Sequence, residues 1–186
     1  MPQFRPLELE GAYEILPDKF GDDRGFFSET YNQNIFADHG IDTVFVQDNH
    51  SFSAAKGVLR GLHFQNAPNA QDKLVRVTRG RVYDVLVDLR KASATYKQWV
   101  GVEVSAEKWN QVLVPKGFAH GFMTMEENTE FLYKVSDFYA PQSDHSIRYD
   151  DPDIGIEWPL DSAIIQLSAK DSAAPLLAEI EEQIQF

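Results

Sequence analysis

Two histidines, two tyrosines and an arginine interrupt stretches of this chain that otherwise read as core-forming strand. His63 and Arg60 lie in QDNHSFSAAKGVLRGLHFQ, residues 47–65, together with Gln47 and Asn49. His120 lies in VPKGFAHGF, residues 114–122, and Tyr133 and Tyr139 lie in EFLYKVSDFYAP, residues 130–141. Imidazole changes charge near neutral pH, so it is the side chain best suited to moving a proton there. Arginine supplies a fixed positive charge for an anion, and a tyrosine carries a polar hydroxyl on an apolar ring. Taken one at a time, each of these residues also has an ordinary structural explanation. The chain has no cysteine, which excludes disulfides, thiolate nucleophiles and thiolate metal ligands.

The elements that must position these groups are short strands. Between Ile41 and Tyr139 the chain alternates brief runs rich in Val, Phe, Leu and Tyr with turn signals at Gly57, Gly80, Gly101, Pro115-Lys116-Gly117 and Glu126-Glu127-Asn128. This rhythm predicts antiparallel β-structure. In KLVRVTRGRVYDVLVDLR the glycine at 80 reads as a hairpin turn, and Val100, Val102 and Val104 alternate with polar or small neighbours as a half-buried strand requires. Strict alternation would put Arg60 and His63 on opposite faces, so a shared site requires a bulge or twist at Gly61. The six-residue separation of Tyr133 and Tyr139 places them on one strand face.

Helix is expected only toward the ends: one around Tyr31 to His39 stopped by Gly40, and one from Pro175, with Leu176, Leu177, Ile180 and Ile184 on one face and Asp171 or Ser172 as its cap. With no repeat, linker or low-complexity block, the 186 residues read as a single domain, an all-β sandwich, barrel or jelly roll with short terminal helices.

Seventeen Lys and Arg against 29 Asp and Glu leave a net charge of −12, the wrong sign for general nucleic-acid binding or for adhesion to anionic membranes. An anionic small ligand would need a local cluster of basic residues. No stretch approaches the roughly 20 apolar residues of a membrane span, and MPQFRPLELEGAYEILP lacks a basic end followed by an apolar run. The expected location is the cytoplasm.

The spacing G-x5-H at Gly57 to His63, followed by P-x-G-x2-H at Pro115 to His120, resembles the two motifs of the cupin superfamily of jelly rolls. Metal-binding cupins carry H-x-H and a nearby glutamate in the first motif; here Gln65 holds the second histidine position, and Asn69 and Ala70 stand where the acid belongs. Two imidazoles fall short of the three protein ligands usual at a catalytic divalent site, so no metal is expected. A closer resemblance covers nearly the whole chain. The ordered strings FGDDRGFFSETY, QDNHSFSAAKGVLRGLHFQ, KLVRVTRGRVYDVLVDLR, PKGFAHGF, EFLYKVSDFYAP and DDPDIGIEWP are similar to the dTDP-4-dehydrorhamnose 3,5-epimerase family. The resemblance implies a cupin-type jelly roll that needs neither metal nor cofactor, assembles as a homodimer, and inverts C3 and C5 of a dTDP-4-keto-6-deoxy sugar in dTDP-L-rhamnose synthesis.

By the same resemblance, His63 is the base, Asp171 in LSAKDS its orienting carboxylate, Lys73 the cation near the ketone oxygen, and Tyr133 the acid on the opposite face. Arg24, Glu29, Gln47, Asn49, Arg60, His120, Tyr139, Asp144 and Lys170 match ligand-contacting positions. Where the family often has a glutamate in Y-x-P-x-x-E, YAPQSD supplies Asp144, the same charge on a shorter arm. Three competing readings follow: an epimerase of one carbon only on the same scaffold, a metal-dependent cupin oxygenase, and a non-catalytic sugar-nucleotide binding module.

Overall fold

The computed structural model describes residues 1–186. Its strands are β1 (Gln3–Pro6), β2 (Tyr13–Leu16), β3 (Phe20–Asp22), β4 (Gly25–Phe27), β5 (Gln47–Ser53), β6 (Leu59–Gln65), β7 (Lys73–Arg79), β8 (Arg81–Asp88), β9 (Trp99–Ser105), β10 (Gln111–Val114), β11 (Phe118–Thr124), β12 (Thr129–Val135) and β13 (Asp144–Ser146). Helix is confined to α1 (Gln33–Asp38), α2 (Ala169–Ser172), α3 (Leu177–Ile180) and short 3-10 turns at Ser162–Ile164 and Glu181–Gln183.

The strands form a larger sheet of six, in the order β1-β2-β10-β7-β12-β5, and a smaller sheet of five, β13-β6-β11-β8-β9, with β3 and β4 as a separate ribbon. Strand pairing in both sheets is antiparallel. Alternation then decides which side chains meet. Val75, Val77, Val112, Val114 and Phe131 of the larger sheet pack against Val82, Leu86, Val104, Phe118 and Phe122 of the smaller one, forming the core between the layers. Leu62, Phe64, Val85 and Val87 point the other way, out of the smaller sheet, and are covered by Ile147, Ile154, Leu177, Ile180 and Ile184. Outside the larger sheet, Leu74 and Leu113 are covered by Phe36 of α1 and by Ile41. This is an all-β sandwich, as the strand rhythm implies, and of the cupin type that the resemblance implies.

Several local expectations need correction. The run around Gly80 is not a hairpin: β7 lies between β10 and β12, whereas β8 lies between β11 and β9. A single linking residue is shorter than the two-residue loop that a tight hairpin favours. Gly80, at φ +78°, instead carries the chain from one sheet to the other, and a Cβ there would stand 2.4 Å from Thr129 Oγ1. The C-terminal helix is also interrupted. Its apolar face holds, with Leu177, Ile180 and Ile184 buried, but α3 is one turn that passes into a 3-10 turn. Asp171 does not cap it; that residue sits in α2, and Glu179 accepts the Leu176 N–H instead. Finally, β12 ends at Val135, so Tyr139 lies beyond the strand that carries Tyr133.

Candidate active site

Between the two sheets lies a cleft of about 330 Å³. Ser51, Lys73, Phe131 and Tyr133 line it from the larger sheet, and Arg60, His63, His120, Phe122 and Asp144 from the smaller one. Arg60 and His63 share it because β6 is irregular where the sequence requires. His63 pairs with His120 and Arg60 with Phe122, so three residue steps on β6 oppose two on β11. Gly61 makes the bulge, at φ +127°, and a Cβ there would lie 2.6 Å from Gly121 Cα and 2.8 Å from the His120 carbonyl oxygen. Only glycine fits both the dihedral and the space.

His63 donates its Nε2–H to Asp171 Oδ1 at 2.5 Å. Burial raises the Asp171 pKa, but hydrogen bonds from His63 and Ser168 outweigh it and hold the carboxyl below its ordinary range. An ionised carboxylate only accepts, so Nε2 carries the proton and Nδ1 is left with the lone pair. The one-turn helix α2 fixes Asp171: the Ser168 hydroxyl donates to Asp171 Oδ2 at 2.8 Å and accepts the Asp171 backbone N–H at 3.1 Å.

Lys73 is buried, and its ammonium donates to the His63 carbonyl oxygen at 3.3 Å. Desolvation brings its pKa down to about 8, against the pull of Asp84 and Asp144. At neutral pH it remains chiefly a cation, and an easily deprotonated one. Burial raises the Tyr133 pKa, with Arg60 opposing, so its hydroxyl stays protonated. His120 donates Nε2–H to Asp84 at 2.8 Å, and burial lowers its pKa, which favours neutral imidazole. A base with an orienting carboxylate on one wall, a phenol on the other and a buried ammonium in the same cleft can remove and return a proton beside a polarised carbonyl.

The model of the dTDP-4-dehydrorhamnose 3,5-epimerase family matches residues 6–179. The chain belongs to that family. It is 58% identical over 164 residues to the dTDP-4-dehydrorhamnose 3,5-epimerase of Salmonella typhimurium, covering 88% of each chain. The Legionella pneumophila dTDP-6-deoxy-D-glucose-3,5-epimerase, solved in complex with dTDP-4-keto-L-rhamnose, superimposes with a TM-score of 0.94 at 44% identity, over 100% of this chain and 99% of that one. A 3′-monoepimerase from Streptomyces bikiniensis in complex with dTDP-quinovose is more distant: TM-score 0.89 and 35% identity, over 96% and 90% of the two chains.

The remaining positions that the resemblance matches to ligand contacts divide into two groups in this epimerase-family chain. Tyr139, Asp144 and Lys170 meet at the mouth of the cleft. Asp144 Oδ2 accepts from Lys170 at 2.5 Å and from the Tyr139 hydroxyl at 3.2 Å, so the shorter acid still reaches both. Gln47 accepts the Tyr139 backbone N–H at 3.3 Å and donates to Asn49 at 2.9 Å. Both share the β5 face of Ser51, because Asp48, His50 and Phe52 between them are exposed. Arg24 and Glu29 do not join: Arg24 is paired with Asp22 on the exposed ribbon, and Glu29 accepts from Asn32. A second depression of about 230 Å³, lined by Arg76, Gln111 and Lys134 among others, lies on the outer face of the larger sheet.

Gln65, at the position where a metal-binding cupin has its second histidine, is a structural clamp. Its amide donates to the Asn69 and Phe138 carbonyls and accepts the Ala140 N–H. Two residues of the site were missed by sequence reading. Ser168 was detectable, since S-x-x-D is a helix-capping spacing. Asp84 was detectable too, as a carboxylate standing on the inner face of β8 between Val82 and Leu86.

Proposed function

We propose that this protein inverts C3 and C5 of dTDP-4-dehydro-6-deoxy-D-glucose to give dTDP-4-dehydro-L-rhamnose, as a single domain over residues 1–186. The C4 ketone acidifies the hydrogen on each neighbouring carbon. His63 Nδ1 takes that proton, the C–H electron pair moves onto the ketone oxygen, and the Lys73 ammonium stabilises the enolate. Tyr133 then delivers a proton to the opposite face of the carbon. Asp171 holds the ring and stabilises the imidazolium. The observation that carries this reading is the placement of His63 and Tyr133 on opposing walls of one cleft with Lys73 between the sheets. Arg60, His120, Gln47, Asn49, Tyr139, Asp144 and Lys170 are assigned to substrate binding. A charged sugar nucleotide does not cross a bilayer unaided, which supports a cytoplasmic reaction.

A homodimer accounts for the ribbon. Phe20, Phe26 and Phe27 are 61%, 53% and 69% exposed there, an apolar surface beside Arg24 and Glu29. In this reading those two residues serve the partner's cleft. Light scattering is expected to give about twice the 21.1 kDa chain mass; a monomer at micromolar concentration counts against it. Activity is expected to survive prolonged chelation, because both cleft histidines give Nε2–H to carboxylates and Gln65 is bound to backbone.

Incubation with the dTDP-4-keto sugar in deuterated water tests the reaction. Deuterium at both C3 and C5 with an L-configured product is expected. Label and inversion at one carbon only would establish the second reading, which the likeness to the 3′-monoepimerase favours; no label would leave a binding module.

A further inference from the structure

The inner face of β8 reads Val82, Asp84, Leu86, and the two apolar neighbours belong to the core between the sheets. Asp84 is completely buried. One of its oxygens accepts the Nε2–H of His120 at 2.8 Å; the other, Oδ1, is sealed from solvent and has no hydrogen-bond partner. A carboxylate so placed is costly unless a nearby charge offsets it. Lys73 is that charge: Asp84 exerts the largest electrostatic pull that keeps this buried lysine protonated. His120 lines the cleft together with Lys73, and its Nδ1 has no partner in the protein and is not sealed from the cleft.

We propose that Asp84 is a positioning residue for the epimerisation, fixing His120 with Nε2 protonated and Nδ1 presented to the cleft as an acceptor for a sugar hydroxyl, and setting its own buried negative charge against the buried Lys73 ammonium. The inference rests on the reaction proposed above. Asp84 touches no reacting atom and acts through its two neighbours, as a buried carboxylate does when it selects a histidine tautomer. Its removal therefore alters chemistry more than binding. The other charged or titratable groups that line the cleft with Lys73 are Arg60 and His63 on β6, His120 on β11, Tyr133 on β12, Tyr139 beyond it, Asp144 on β13 and Lys170 and Asp171 on α2, and all are unchanged by substitution at 84.

The test is Asp84→Asn, which keeps shape and removes charge, measured alongside the wild type. We expect kcat to fall roughly 10- to 100-fold, less than deleting an oxyanion donor outright. KM should change little, and the alkaline limb of kcat should move to lower pH as Lys73 loses its counter-charge. In the wild type, nitrogen NMR of the His120 ring should find the proton on Nε2. A folded variant with altered melting temperature but unchanged kcat and pH profile overturns the proposal, as does a wild-type His120 protonated on Nδ1. If Asp84→Asn does not fold, the wild-type tautomer decides. Wild-type protein that leaves the dTDP-4-keto sugar unchanged refutes the reaction itself, and the NMR measurement still judges Asp84.

Discussion

His63 and His120 are cross-strand partners on β6 and β11, and each gives its Nε2–H to a carboxylate of its own, Asp171 and Asp84 respectively. The two pairs differ in burial. The His63 side chain is 32% exposed and His120 only 7%, and burial favours the neutral form of the second.

His63→Ala is expected to lower turnover by about 10²- to 10⁴-fold while the protein remains folded, the usual worth of a general base. Asp171→Asn should act in the same direction by a smaller factor, because the imidazole survives with its ring less well held. Steady-state rates with circular dichroism check both; an alanine variant retaining more than about a tenth of turnover removes His63 from the mechanism.

Tyr133→Phe separates the two walls. Proton removal by His63 remains possible, but delivery from the other face is lost. In deuterated water the variant should return labelled starting material of retained configuration faster than it forms inverted product, measured by mass spectrometry and proton NMR. An equal fall in exchange and inversion would transfer the acid role to Tyr139.

Gly61→Ala should lower both stability and activity. The added Cβ meets Gly121 Cα at 2.6 Å in a backbone conformation with φ +127°, so the bulge that brings Arg60 and His63 together has to shift. A loss of about 1–3 kcal/mol in urea unfolding is expected from the strained backbone, with kcat reduced at saturating substrate. Wild-type values for both would show that the bulge tolerates a side chain.

Asp88 governs acid stability at a distance from the cleft. Burial raises its pKa, but hydrogen bonds from Arg90, Ser93 and Thr95 more than offset this and bring it from 3.8 to about 2. A carboxyl depressed in the folded state stabilises above its unfolded pKa and loses that contribution as pH falls toward about 2. The effect is on the order of 2 kcal/mol. Asp88→Asn should therefore be destabilised at pH 7 and lose less additional stability than the wild type between pH 5 and pH 2, as read by thermal melts.

Period-two patterning and turn residues made most of the sandwich legible, because alternation in segments such as Val100 to Val104 directly reflects one wet face and one dry one. The need for a bulge at Gly61 was legible for the same reason: two polar residues with an odd separation cannot otherwise share a face. What patterning cannot report is which strand lies beside which. A glycine link suits a turn within a sheet and a step between sheets equally, so Gly80 was misread. The C-terminal segment escaped for a different reason: Leu177, Ile180 and Ile184 dock on an existing surface that holds them without a continuous helix. His63 and Asp171, 108 positions apart, were paired through family resemblance, since nothing local to either residue names the other.

The late arrival of Asp171 has a consequence for biogenesis. Every strand of both sheets precedes α2 in the chain, so during synthesis the sandwich can close around His63 before its carboxylate has emerged. Joining positions 108 residues apart also carries the loop-closure entropy of a long-range contact. A molecule in which α2 has not docked thus lacks the Ser168, Lys170 and Asp171 side of the cleft and leaves the His63 imidazole unoriented. Activity is therefore expected to require the docking of α2, and to gauge completed folding in a way that spectroscopic strand content does not.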